Sequence, residues 1–244
     1  MEEKFMLNYD HFTLEEATSL QNKLSYILSR QTDIKDFTTI AGADISHDKD
    51  TDVIYAGIVI LSYPQMVVQS YSLVEAKTTF PYISGYLGFR EVHALLKAWD
   101  QIPVKPGVVI LDGQGITHPR RMGIASHFGV LTDHATIGCA KNMMYGHFPN
   151  LGNSKFSNSK ILSPGNEHLG YALRTKDNVN EVYISPGHKM SVLDSLDIMK
   201  KCVKQHRLPE PTRQAHEYVN LFRTAKLKPG FYEVPNIQMG LFDI

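Results

Sequence analysis

The sequence predicts an α/β chain built on a mixed β-sheet, three antiparallel strands followed by parallel strands, with helices on both faces. Residues 39–80 hold three β-rich stretches joined by short links, the pattern of an antiparallel meander. GVVILDG (107–113) is a short apolar run bounded by glycine, as a buried parallel strand reads, and ATIGCAK (135–141) is a second. Helical segments separate and follow these runs, so helices must cover the sheet. At 244 residues, with 43% hydrophobic and 20% charged residues, the chain is long enough for a sizeable core. That composition excludes collagen-like, low-complexity and wholly disordered classes.

Taken in order, an amphipathic helix is expected over 13–30, where Thr13 and Glu16 form a capping-box pair. The three meander strands are TIAGADIS (39–46), VIYAGIVILSY (53–63) and MVVQSYSLVEAKTTF (66–80). PYISGYLG leads into a helix over about 87–100, stopped by Pro103 and the Lys-Pro-Gly of 105–107. After the strand 107–113 comes a glycine-rich connection and a helix over about 120–131, then the strand 135–141. PNLGNSKFSNSKILSPGN (149–166) reads as a surface excursion without a domain boundary. EHLGYALRT and NEVYISPGH read as a strand pair, MSVLDSLDIMKKCVKQ and TRQAHEYVNLFRTAK as the last two helices. One domain over 1–233 and a C-terminal tail over 234–244 are therefore expected.

Net charge is zero, but it is divided unevenly: residues 1–105 carry 9 Lys+Arg against 14 Asp+Glu, and the remainder reverses that balance. HPRR (118–121) and KKCVKQHR (200–207) concentrate the positive charge. The second has two readings, a phosphate-attracting patch or a solvated helix face. No apolar run approaches the ~18 residues of a membrane span, and the acidic start MEEKFMLNYDHFTLEEA is unlike a signal peptide. A cytoplasmic protein with no membrane partner is expected. Cys139 and Cys202 have no CxxC or Cys–His metal spacing, which excludes a disulfide framework and a zinc site. Nothing resembles a coiled coil, and a monomer is expected.

Three carboxylates stand where burial costs most. On the helix 87–100, Glu91 falls inside the apolar arc of Leu87, Val92, Ala94, Leu95, Leu96, Ala98 and Trp99. It either reaches solvent at the core edge or is compensated. Asp112 ends the run VVILDG, at the carboxyl edge of the sheet where α/β proteins place ligands, although a turn cap explains it equally well alone. Asp44 interrupts IAGADIS on the strand face of Gly42 and Ser46, small residues that leave space over it. If the first strand pairs with the fourth and the intervening helix packs over them, the three acids converge, and like charges that close need a cation between them. Oxygen-only ligands favour Mg²⁺ or Mn²⁺ over zinc.

The element order with these three acids resembles the RNase H-like metal nucleases. The runs IAGAD (40–44), PYISGYLGFRE (81–91), LDGQGITHPRRMGIASHFG (111–129), TIGCAK (136–141), SPGHKMS (185–191) and LPEPTRQAH (208–216) resemble those of the endonuclease V (deoxyinosine 3′ endonuclease) family. The blocks span nearly the whole chain. The resemblance implies an RNase H-like sheet and a Mg²⁺-dependent DNA-repair endonuclease, with Mn²⁺ able to substitute. It further implies a nick at the second phosphodiester bond 3′ of deoxyinosine or a related deaminated base, leaving a 3′-hydroxyl and a 5′-phosphate. It places the metal on Asp44 and Asp112 with Glu91 completing the triad, His216 supporting the water shell and Lys141 at the scissile phosphate. Tyr82, flanked by Pro81 and Ile83, becomes a wedge that fills the stack while the base flips out. GQGITHPRRMG (113–123), with Gly113 and His118, reads as the lip of the base pocket or as a strand-to-helix connection with a basic turn; His118, Arg120 and Arg121 are phosphate-contact candidates, and His188 is either such a contact or a structural histidine. Two departures affect substrate preference more than chemistry: Ser84 replaces the second proline of PYIP, and Gln114 stands where DGHG has histidine.

Gln238, Leu241 and Phe242 in the tail resemble the pentapeptide by which bacterial repair proteins bind the sliding clamp; folding back on the domain is the other reading. Alternatives to DNA nicking are an inosine-RNA or structure-directed nuclease of the same superfamily, or a non-catalytic nucleic-acid-binding protein. No short motif displays the contact to a 2′-hydroxyl that would separate DNA from RNA.

Overall fold

The computed structural model describes residues 9–34, 36–48 and 51–235. Its pivot is the strand Thr39–His47 (β1), which pairs antiparallel with Val53–Ser62 (β2) on one side and parallel with Val108–Leu111 (β4) on the other. Val68–Lys77 (β3) continues the meander beyond β2. Thr136–Ala140 (β5) runs parallel to β4. Asn158–Leu162 (β6), His168–Leu173 (β7) and Val182–Pro186 (β8) extend the sheet, and Gly230–Glu233 (β9) closes the opposite edge. The resulting order is β6-β7-β8-β5-β4-β1-β2-β3-β9.

The helix Leu14–Tyr26 (α1) opens with the expected box: Thr13 N–H donates to Glu16 at 2.8 Å, and Glu16 N–H donates to the Thr13 hydroxyl at 3.2 Å. It ends earlier than the sequence suggests because the next turn is drawn off to other partners. Ser29 N–H donates to His188 Nδ1 and its carbonyl accepts from Lys189 N–H. Leu87–Asp100 (α2) and Ile124–Thr132 (α3) cover one face of the sheet, burying Phe89, Val92, Leu95, Trp99 and Phe128 with Ala41, Ala43, Val109 and Leu111. Val192–Cys202 (α4) and Glu210–Arg223 (α5) cover the other, burying Leu196, Met199 and Ala215 with Ile40, Val108 and Ile110. Each large side chain so buried contributes roughly 1.5–3 kcal/mol.

Two expectations are corrected, and one strand was not foreseen. The excursion 149–166 contains β6, whose composition looks loop-like because it is an edge strand: Ser159 and Ile161 face inward while Asn158 and Lys160 face solvent. The helix expected from 120 begins at Ile124, because Arg121 takes a positive φ of 59° and ends a turn. β9 gave no sequence signal; four residues at an edge are held by pairing with β3 and by Tyr232 stacking on Tyr71. Both cysteines are buried and free. Among the described residues no helix is long and apolar enough to cross a membrane. Gln238, Leu241 and Phe242 lie outside the described residues.

Candidate active site

The parallel register of β1 and β4 brings the acids together. Ala43 is level with Leu111, and the next residue on each strand is an aspartate. Asp112 N–H donates to the Ala43 carbonyl at 3.0 Å, locking the two in step. On the adjacent strand β5, Lys141 follows the last residue, Ala140. Three neighbouring strands thus deliver Asp44, Asp112 and Lys141 to one carboxyl edge, where an open α/β sheet forms its ligand crevice.

The space above Asp44 is filled by α5. A Cβ on Gly42 would stand 1.8 Å from the Pro211 carbonyl oxygen, so only glycine lets this helix rest on the strand backbone. From there His216 reaches back to place Nδ1 2.8 Å from Asp44 Oδ2. The Asn220 amide donates to Nε2 at 3.0 Å, which leaves Nδ1 to carry the proton toward the carboxylate. The second Asp44 oxygen accepts from Ile45 N–H at 2.8 Å.

Ligand atoms of Asp44, Asp112 and His216 lie within 4.8 Å of one another. Burial and then the nearby Asp44 charge push Asp112 above the usual carboxylate range, and Lys141 Nζ, 2.5 Å from its Oδ2, only partly opposes this. Burial works to lower Lys141, but its carboxylate neighbours outweigh that and raise it. The hydrogen bond to Asp44 raises His216. A buried and a half-buried carboxylate that repel each other, joined by one imidazole, fit a divalent cation, whose charge would relieve the repulsion. This group differs from the expected all-carboxylate set in including an imidazole.

Glu91 stands beside that group, not within it. It comes from α2, on the opposite face of the sheet, and its Oε1 lies 2.9 Å from His47 Nε2. Arg90 Nε donates to His47 Nδ1 at 3.4 Å, so Nε2 is the donor to Glu91. Burial raises Glu91, against the pull of His47. The residue nonetheless lines a cavity of about 230 Å³ together with Asp44, His47, Asp112 and Tyr82. A larger cavity, about 640 Å³, shares Tyr82, Leu87, Glu91, Asp112 and Ile124 as a common wall and is closed by Gly113, His118, Lys141, Met143 and Met144.

Tyr82 rises on the rim, 70% exposed, with Pro81 also exposed and Ile83 half-buried. Ser84 and Gln114 line the larger cavity. Gln114 is fixed at both ends, donating to the Asn142 carbonyl at 2.7 Å and accepting from the Thr117 hydroxyl at 2.6 Å.

All four phosphate-contact candidates have internal partners. His118 is buried, its Nδ1 accepting from Arg120 and Met122 N–H and its Nε2 donating to the Gly85 carbonyl; burial pushes it down to about 4, so it is neutral. Arg120 bonds Gln21 and Gly85. Arg121 pairs with Glu167 at 2.6 Å. Both ring nitrogens of the buried His188 are taken, by Ser29 N–H and Asp133. An HPRR run reports charge but not the acceptors that claim it.

Sequence reasoning missed His47, Met143, Met144 and Gln21. Only Gln21 carried a signal, since it shares with Ala17 and Leu24 the buried stripe of α1.

A mixed sheet whose acid-bearing first strand lies between an antiparallel and a parallel neighbour, with helices on both faces, defines the RNase H-like class. The sequence profile of the Endonuclease V family matches residues 20–217, and the chain belongs to that family of metal-dependent nucleases. It is 40% identical over 204 residues to Endonuclease V of Trichormus variabilis, covering 83% of this chain and 92% of that protein. The crystal structure of Endonuclease V from Streptomyces avermitilis superposes with a TM-score of 0.82 at 32% identity, covering 88% of this chain and 95% of the other. Endonuclease V of Ciona intestinalis, solved with a 23mer DNA containing an inosine followed by a ribo-adenosine, gives 0.78 at 28% identity, covering 88% and 100%.

Proposed function

We propose that this chain nicks inosine-containing DNA at the second phosphodiester bond 3′ of the lesion, with Mg²⁺ as its cofactor and Mn²⁺ as a substitute. The observation that carries this is the wall, Asp112 and Glu91 included, that the smaller cavity beside Asp44 shares with a cavity of about 640 Å³, a volume typical of small-molecule pockets, with Tyr82 on its rim. Asp44, Asp112 and His216 would hold the cation, with Glu91 facing it across the smaller cavity. When bound, such an ion supplies Lewis acidity, acidifying water and offsetting charge on a non-bridging phosphate oxygen.

The chain's own residues do the rest. Lys141 presents a compact positive charge to the scissile phosphate once substrate competes for its Asp112 contact. Tyr82 fills the stack left by the flipped base, whose extrusion costs least when it is mispaired. In-line attack of water on phosphorus breaks the bond to the 3′ oxygen and leaves a 3′-hydroxyl and a 5′-phosphate.

The test is a nicking assay on matched oligonucleotides carrying deoxyinosine or inosine, with and without Mg²⁺. Asp44→Ala and Asp112→Ala should abolish nicking while keeping the fold. A ribose at the lesion cut faster than a deoxyribose would make RNA the substrate. Binding without any nicking by the parent would make the chain a binding protein. The 238–242 segment is further proposed to hold a sliding clamp, and deletion of 236–244 should then abolish retention on immobilised clamp.

A further inference from the structure

The Gly85 carbonyl, at the base of the loop carrying Tyr82, accepts from three side chains. Gln21 Nε2 donates at 2.9 Å, His118 Nε2 at 3.0 Å and a terminal nitrogen of Arg120 at 3.1 Å. A carbonyl has two lone pairs, so three donors on one oxygen is a costly convergence for a mere turn. The donors are also tied to one another. Arg120 Nε donates to Gln21 Oε1 at 2.5 Å, and the guanidinium lies over the Tyr86 ring, 4.4 Å from its centroid. Gln21 is fully buried and lines neither cavity of the site. Gly85 itself has φ +83°, a conformation that other residues adopt only under strain.

The other stem of the loop is pinned as firmly. Arg90 donates to the Phe80 carbonyl at 2.6 Å, and the Asp10 carboxylate accepts from Thr79 N–H at 2.9 Å and Phe80 N–H at 3.3 Å. Between two fixed carbonyls, at Phe80 and Gly85, stands the Tyr82 side chain, 70% exposed, with its ring edge-on to His47 at a centroid distance of 6.2 Å. A loose loop would have to be ordered each time the ring entered a base stack, and that entropy would oppose insertion.

We infer that Gln21 and Arg120 are positioning residues that hold the 81–85 loop rigid, so that Tyr82 enters duplex DNA without first being ordered. The inference rests on the wedge reading of Tyr82. Wedging matters only where there is a stack to fill, so the clamp acts on duplex substrate and not on single strands.

The experiment compares kcat/KM for one inosine-containing sequence as duplex and as single strand, in the parent, Gln21→Leu, Arg120→Lys and Tyr82→Ala. A second readout needs no metal. In chelator-treated buffer, a fluorescent adenine analogue beside the inosine brightens when the stack opens. Gln21→Leu should lower the duplex-to-single-strand ratio about tenfold, the scale of one buried hydrogen bond, and blunt the rise in emission. Arg120→Lys should do the same, since lysine keeps the charge but cannot fork to two acceptors. It also keeps the test alive if the buried Gln21 variant fails to fold. If Tyr82→Ala lowers the ratio while folded Gln21→Leu and Arg120→Lys stay within twofold of the parent, the clamp is wrong and the wedge stands. If Tyr82→Ala leaves the ratio unchanged, both fall.

Discussion

His216 Nδ1 lies 2.8 Å from the Asp44 carboxylate across a sequence separation of 172 residues. The contact joins the first strand of the sheet to its last long helix, so the site cannot form before the chain has closed. Because His216 stands in one group with Asp44 and Asp112, His216→Ala should weaken divalent-cation affinity by roughly 10–100-fold. Mn²⁺ should lose more than Mg²⁺, since the smaller ion relies on oxygen. Calorimetric titration of the DNA-free protein measures this; equal affinities in the parent and the variant would remove His216 from the site.

The same contact depends on a missing methyl group. A Cβ at Gly42 would meet the Pro211 carbonyl at 1.8 Å, and backbone on both sides cannot yield as a flexible side chain would. Gly42→Ala should therefore lift α5 away from β1, costing about 1–3 kcal/mol in denaturant unfolding. Nicking should fall further than stability does, because His216 moves with the helix. A variant with parental activity would show that the helix seat tolerates the shift.

Asp112 is ionised at a cost, since burial and the Asp44 charge together outweigh the help of Lys141. Asparagine keeps the shape and removes the charge. In metal-free buffer at neutral pH, Asp112→Asn should raise the melting temperature by about 2–4 °C, the equivalent of roughly 1 kcal/mol in a chain this size. Nicking should drop roughly a thousandfold, because several kcal/mol of Lewis-acid stabilisation goes with the ligand. Added Mg²⁺ should stabilise the parent and not the variant. A lower melting temperature for Asp112→Asn without metal would mean that the Lys141 pair, not the repulsion, dominates.

What the sequence made legible was whatever a single element could state by itself. Asp44, Asp112 and Glu91 each broke an apolar pattern, and the capping box at Thr13 and the glycine-bounded strand β4 announced themselves locally. What it hid was pairwise. His216, from a helix on the opposite face to that of Glu91, stands in one group with Asp44 and Asp112, and no periodicity encodes that. Arg120 and Arg121 looked available for phosphate because their acceptors, Gln21 and Glu167, lie in distant segments. β6 and β9 were invisible for a related reason: edge strands are polar and short, and pairing with β7 and β3 holds them more than propensity does.

The aromatic pocket behind α2 sets an acid limit on the fold. His127 is fully buried, with Phe89 and Tyr9 rings 5.1 and 5.5 Å away. Its Nε2 lies 3.2 Å from the Tyr9 hydroxyl, and its Nδ1 has no hydrogen-bond partner among the described residues. A charge there would be desolvated among rings, and burial pushes its pKa down from 6.5 to about 3. As the pH falls, the unfolded chain takes up this proton first. The contribution of this group to stability is therefore complete above about pH 6.5, declines as pH drops toward 3 and levels off below. Within that window the slope from one such group is about 1.4 kcal/mol per pH unit. His118, pushed to about 4 by burial, adds to the loss in the same direction. His127→Gln, which cannot be protonated, should flatten unfolding free energy between pH 6 and pH 5 by about that one-group slope. Identical slopes in the parent and the variant would mean that His127 charges as readily inside the fold as outside it.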